Sequence, residues 1–195
     1  MINISEKLYS AVKAIIDNWN EDGIYAISFF VYSNEVFEYN GFSNVSYFAV
    51  SYNTEDDCAG AGQYDEERWN YAFWRQNETP VIDVDTPNEL TDLLYEWYKE
   101  NGITNIGEED EDCYDEAYHY IGKGPVGHYE LLGLVSEVAK RLQQESFIEQ
   151  KFGQKLPIII HGLEYEWFDI EATQNANING EANTFLRAMK GLEMC

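Results

Sequence analysis

An α+β fold is the expectation for this 195-residue chain, and three observations lead to it. Two runs rich in β-branched and aromatic residues, 24–33 (IYAISFFVYS) and 45–52 (VSYFAVSY), read as neighbouring strands with a turn signal, Asn40-Gly41, between them. Amphipathic stretches at helical spacing stand at 3–19, 86–101 and 127–150. A short apolar run, LPIIIH at 156–161, follows the last of these and fits a buried strand beside the first two. The length fits one domain over 1–195: a mainly antiparallel sheet of three to five strands covered by several helices.

Each element has a local reason. In 3–19, Asn3 serves as N-cap with Glu6 three positions on. Ile4, Leu8, Val12, Ile15, Ile16 and Trp19 share one face, and Asp22-Gly23 ends the helix. The run 24–33 is too apolar for an exposed strand and reads as central. Glu35 to Tyr39 extends it or forms a short strand of its own. Within 65–76, Asp65 caps a short helix carrying Trp69, Phe73 and Trp74, and Pro80 to Val84 reads as a brief edge strand. Thr86-Pro87-Asn88-Glu89 has the form of an N-cap, a first-turn proline and a capping-box glutamate. Leu90, Leu93, Leu94, Trp97 and Tyr98 follow on one face, and Asn101-Gly102 stops that helix.

Residues 104–112 read as a loop and 113–121 as a short helix broken by Gly122, Gly124 and Pro125. The stretch 127–150 is the longest helix expected, with Leu131, Leu134, Val135, Val138 and Leu142 as its buried stripe. Gly133 inside it costs about 1 kcal/mol against alanine, which close packing at that point would account for. Two short helices, 168–176 and 181–190, joined at Asn177 to Gly180, complete the chain.

Charge is the most distinctive property. Acids number 36 against 12 Lys and Arg, a net charge of −24. Residues 1–122 hold 26 acids and 5 bases, and residues 123–195 hold 10 acids and 7 bases. The densest run is Glu108, Glu109, Asp110, Glu111 and Asp112, followed by Asp115 and Glu116. Two accounts of this run stand side by side: a solvated loop, or a docking face that steers a basic partner. Such a surface repels phosphate backbones, so nucleic-acid binding is not expected. With 15 Tyr, 10 Phe and 5 Trp, the chain has enough aromatic material to fold despite its charge. No apolar run of about 18 residues is present, so no membrane-spanning helix is expected. Met1 to Asn20 lacks the pattern of a secretory leader. Cys58, Cys113 and Cys195 stand at unrelated spacings, and a reduced cytoplasmic protein is the expectation.

Chemistry-bearing motifs are scarce. His119 and His128 are nine residues apart across a Gly/Pro break, neither HExxH nor CxxC occurs, and neither a metal nor a cofactor is expected. An EF-hand read from Asp110 fails, with Asp115 in place of the sixth-position glycine and Ile121 in place of the glutamate. There is no G-x-S-x-G elbow, and Cys113 lies among acids that disfavour a thiolate. Gly122 to Gly127 spells G-x-G-x-x-G, but no buried strand precedes it and Pro125 removes an N–H, so a plain turn is the better reading. His161 reads as a strand-end histidine bonded to backbone rather than a catalytic group. Trp69, Tyr71, Phe73 and Trp74 cannot all face one core from a short helix. They are either core with tolerated exposure or the lining of a groove, which makes Trp69 and Trp74 candidate partner-binding residues with the acids.

Three stretches together give the chain a family likeness. They are the strand pair IYAISFFVYSN and FAVSYNTEDD (48–57), the segment Arg68-Trp69-Asn70-Tyr71-Ala72-Phe73-Trp74, and LPIIIHGLEYE followed by Ala172 to Asn177. In this order they resemble the bacterial family known as domain of unknown function 4303 (DUF4303). Ile178 stands after Asn177 where that family often has proline, and no Ser-Pro step follows Trp69. The resemblance implies an α+β domain and a bacterial source, and no catalytic residues. The functional expectation is a non-enzymatic binding protein, in its most concrete form an acidic immunity-type inhibitor of a basic toxin. The alternatives are a general interaction or regulatory module, or a small-molecule binder or enzyme with an aromatic-lined pocket.

Overall fold

The computed structural model describes residues 4–34, 38–107, 113–119, 121, 122, 124–192 and 194. The expected Asn3 cap, residues 35–37 of the strand extension, and Glu108, Glu109, Asp110, Glu111 and Asp112 lie outside the described residues, as do Lys123 and Cys195. In chain order the elements are α1 (Ile4–Asp17), β1 (Ile24–Asn34), β2 (Val45–Thr54), α2 (Glu66–Trp69), a 3-10 turn (Tyr71–Phe73), β3 (Thr79–Ile82), α3 (Glu89–Glu100), α4 (His128–Gln144), α5 (Phe147–Phe152), β4 (Ile158–His161), α6 (Trp167–Ala176) and α7 (Asn183–Leu192). The fold is α+β.

The four strands form one sheet in the order β3-β2-β1-β4. β1 runs antiparallel to β2, from Ala26 opposite Asn53 to Asn34 opposite Val45, with a bulge after Ile24. β3 adds an antiparallel edge, and β4 lies parallel to β1 with Ile27 opposite Ile158 and Phe30 opposite His161. Period-2 alternation divides the side chains between two faces. Ile27, Phe29, Val31, Phe48, Val50, Ile158 and Ile160 enter the main core with the apolar stripes of α1, α4 and α6. Tyr25, Ala26, Phe30, Ile159 and their neighbours enter a second core, covered by Trp69, Tyr71 and Trp74 and by Phe185, Ala188 and Met189 of α7. Both faces of the sheet are therefore covered, which explains why β1 reads as an almost continuous apolar run.

Several elements depart from their expected form for identifiable reasons. The cap of α3 is Asn88, not Thr86. Its Oδ1 accepts from the N–H groups of Leu90 (2.8 Å) and Thr91 (3.1 Å), and its Nδ2 donates to Val81 O (3.1 Å), anchoring the helix start to β3. The buried face of α3 centres on Leu94, Tyr95 and Tyr98. Tyr98 O–H donates to Gly127 O (3.2 Å) and receives the Ser46 hydroxyl (2.8 Å), while Tyr95 accepts from Ser46 N (3.0 Å). Two tyrosines thus join β2, α3 and the start of α4. The helix expected at 127–150 breaks at Ser146, whose φ of 57° is left-handed, and so divides into α4 and α5. Among its described residues, 113–121 is a turn rather than a helix: Asp115 Oδ1 accepts from the N–H groups of Ala117 and His119 (both 2.8 Å), and Ile121 N bonds Cys113 O (3.0 Å). Asn40 and Gly41, with φ of 54° and 91°, make a tight turn closed by paired bonds between Tyr39 and Phe42.

The outer edge of β4 is closed by side chains. Thr173 Oγ1 accepts from Ile160 N (2.9 Å) and donates to Ile160 O (3.0 Å). One turn later, Asn177 accepts from Ile158 N (3.0 Å) and donates to Ile158 O (2.7 Å). Gln143 of α4 donates to both Asn177 Oδ1 (3.1 Å) and Leu156 O (2.9 Å). Thr173 of α6 and Asn177, the residue capping that helix four positions on, thereby replace a fifth strand.

Two stability outcomes follow. Asn177→Ala strands the Ile158 amide and carbonyl in the core and should destabilise by about 2–3 kcal/mol in urea unfolding; a change under about 0.5 kcal/mol would mean the edge is closed some other way. Gly133 is exposed, with nothing within 4 Å of an added Cβ, so the close packing expected there is absent. Gly133→Ala should therefore stabilise by about 0.5–1 kcal/mol, read as a raised midpoint at unchanged slope.

Candidate functional site

The second face of the sheet gathers most of the unusual chemistry. α2 is only one turn long, so its last carbonyls need partners from elsewhere. Buried aromatics supply them: Tyr25 O–H and the Trp74 indole N–H donate to Arg68 O, and Tyr165 O–H donates to Trp69 O. The Trp69 indole donates to Gln63 O (2.7 Å). Trp69 and Trp74 are 3% and 5% exposed, and the exposed ring of their segment is Phe73, at 52%. Both tryptophans hold this segment onto the sheet.

His161 lies beneath that cover, among Tyr71, Trp74, Phe30 and Tyr165, with ring centroids 4.7–5.7 Å away. Its Nδ1–H donates to Gly162 O (2.8 Å), which leaves Nε2 bare to accept the Ser28 hydroxyl (2.8 Å). A hydroxyl on a neutral, oriented imidazole has the wiring of a nucleophile and its base. Here both residues are 0% exposed, and the bond satisfies two polar groups inside the core. Burial pushes the His161 pKa down to about 4 against the weaker pull of the Gly162 carbonyl. His128, at the start of α4 against Ser33 and Phe168, is likewise pushed down to about 4 by burial.

Asp169, in the first turn of α6, is 1% exposed. Its Oδ2 accepts from Glu166 N (3.1 Å), while Oδ1 has no hydrogen-bond partner. Burial pushes its pKa up to about 7, outweighing the backbone N–H donors at Glu166 and Gly162.

Further along the same face the described residues cover the sheet less completely. Tyr32 and Tyr47 are half-buried, with ring centroids 4.9 Å apart, and Phe30 stacks on Tyr71 at 4.8 Å. The Tyr71 hydroxyl donates to Glu78. The pairing of Phe48 with Ile82 carries the chain past Tyr47 at Asp83. Burial pushes the Tyr47 hydroxyl up to about 12, helped by the charges of Asp83 and Glu78 and by Tyr32. In the sequence Tyr32 and Tyr47 read as ordinary strand residues, and their grouping with Glu78 and Asp83 is a feature of the fold. The signal was present: alternation along two paired strands puts Phe30, Tyr32 and Tyr47 on one face.

Of the acidic candidates that are described, Asp115 organises its own turn. Backbone donation from His119 holds its carboxyl below the ordinary value, and Glu116 is exposed beside it. The Gly-rich stretch before α4 serves packing. Gly124 sits where a Cβ would lie 2.3 Å from the Tyr129 ring, and Gly127, in the left-handed region at φ 74°, gives its N–H to Glu130 (2.6 Å). Among the described residues there is no group of three or more His, Cys, Asp or Glu placed to hold a metal ion, and no helix is long and apolar enough to cross a membrane. Compared with protein-family models, curated proteins and solved structures, the chain gives no match.

The buried acid gives a pH test. Between about pH 4 and 7 the folded protein keeps a proton on Asp169 that the unfolded chain releases, so this group lowers stability as pH rises through that window. His128 and His161 act oppositely: the unfolded chain takes up protons between about pH 6.5 and 4 that the fold excludes, so their contribution is lost as pH falls. Asp169→Asn should therefore be close to wild type near pH 4 and increasingly more stable towards pH 7, levelling above it. A difference independent of pH in urea unfolding would remove Asp169 from this role.

Proposed function

We propose that this protein is a non-enzymatic binding protein for a basic macromolecular partner, in its most concrete form an immunity-type inhibitor that covers the basic surface of a toxin. The observation that carries the reading is how the positive charges of residues 1–122 are used. Lys7, Arg68 and Arg75 are in ion pairs with Glu89, Glu55, Glu21 and Asp57. Lys13 and Lys99 lie over the rings of Phe147 (4.1 Å) and Phe42 (5.9 Å). All five bases of this segment are engaged within the chain, and it keeps a net charge of −21; one of its 26 acids, Glu6, is paired from outside the segment by Arg141. An uncompensated field of that size favours association with a cationic surface and costs stability in isolation.

The enclosed Ser28–His161 pair supports binding over catalysis, because a substrate has no route to a hydroxyl that is fully buried. A general interaction or regulatory module would share this electrostatic logic and differ only in partner. Membership of DUF4303, and the bacterial cytoplasm as the setting, form part of the same proposal.

The test is affinity capture from a source lysate at low and at high salt, followed by reconstitution with the purified candidate. One basic protein, bound stoichiometrically at low salt and released at high salt, is the expected result. Binding that ignores salt, or no stoichiometric partner at any salt, would defeat the electrostatic reading.

A further inference from the structure

Three of the chain's four arginines are held in the same way. Arg68 lies 4.0 Å from the Tyr25 ring centroid and bonds Glu55 in bidentate fashion, at 2.6 and 2.8 Å. Arg75 lies 5.7 Å from the Tyr52 ring between Asp57 (3.0 Å) and Glu21 (3.1 Å). Arg141 lies 3.8 Å from the Tyr9 ring between Glu6 (2.8 Å) and Glu145 (2.7 Å). The pattern is a guanidinium near a tyrosine ring with its N–H groups directed to one carboxylate (Arg68) or to two (Arg75, Arg141), an arrangement that suits the planar fork of arginine better than the point charge of lysine.

The open end of the second sheet face repeats this pattern without a cation from the described chain. Tyr47 is half-buried, the pairing of Phe48 with Ile82 carries Asp83 alongside it, and the charges of Asp83 and of Glu78, which Tyr71 holds, act on its hydroxyl; the half-buried Tyr32 ring and the buried Phe30 ring lie 4.9 and 6.1 Å away. Asp83 is fixed in place, accepting from Asp85 N (2.9 Å) and from the Thr86 hydroxyl (2.8 Å). Glu78 is fixed by Tyr71. No lysine or arginine among the described residues forms an ion pair with either acid or lies over the Tyr47 ring. We infer that Tyr47, Glu78 and Asp83 form the slot for an arginine side chain of the basic partner, stacked on the ring and forked between the two carboxylates. The inference rests on the proposed function and goes beyond it by naming the contact and preferring arginine over lysine. It moves the point of recognition from the acidic run after Gly107 to the β2–β3 edge of the sheet.

The experiment is titration calorimetry of the full chain at low salt with an arginine homopeptide and a lysine homopeptide of equal length. Wild type should bind the arginine peptide more tightly. Glu78→Gln with Asp83→Asn should weaken the arginine peptide by about fivefold or more, and Tyr47→Leu should abolish the preference for arginine over lysine. Glu96→Gln with Glu100→Gln, an equal charge change on exposed α3, should alter either peptide by less than about twofold. If both charge pairs weaken binding equally, the slot is wrong while the acidic-surface reading stands. If neither peptide binds wild type at low salt, both fall. Should Tyr47→Leu fail to fold, the two charge pairs still decide the matter.

Discussion

The closed edge of β4 organises much of this molecule. β4 is four residues long and the sheet's single parallel strand, so its inner face alone offers few hydrogen bonds. Thr173 and Asn177 complete the backbone of Ile160 and Ile158 on the other side, and Gln143 ties the same asparagine to α4. Three elements distant in sequence are thus held in register by polar groups that the core would penalise if any one were left unpaired. With α6 held there, its first turn lies at the end of β4. Asp169 is then buried beside Gly162, and Tyr165 is positioned to close over His161.

The aromatic residues carry a second constraint. A one-turn helix beside a sheet exposes carbonyls that it cannot satisfy itself. Tyr25, Trp74 and Tyr165 satisfy them while filling the space between α2, α7 and the sheet. Aromatic side chains with a polar tip suit this role because each buries a large apolar body and still delivers one donor. The same residue class does different work at the open end of the face. There Tyr47 and Tyr32 are half-buried near Glu78 and Asp83, which is where the proposed recognition of an arginine would take place.

Charge follows the same division. Three of the four arginines lie on tyrosine faces and are paired there with acids. Glu55 and Glu145 are held below their ordinary values by direct bonds to Arg68 and Arg141. The negative field therefore belongs to acids that have no local cation. Proximity in sequence, as in the run at 108–112, is one way to notice such acids, and proximity across a sheet edge is another.

Local chemistry alone determined the strands at 24–33 and 45–52, the amphipathic helices, the Asn40-Gly41 turn, the buried strand at 156–161 and the sign and size of the charge. Each depends on periodicity, on turn preferences or on simple counting, which are properties of neighbouring residues. Tertiary structure decided that Asn88 caps α3, because its amide also reaches β3. It also decided that the long helix breaks at Ser146 and that Trp69 and Trp74 lie inside. The roles of Thr173, Asn177 and Asp169, and the grouping of Tyr47 with Glu78 and Asp83, were decided there too. These depend on strand register and on which element covers which edge, and a hydrogen bond or a ring contact between residues far apart in sequence leaves no periodic trace in either segment.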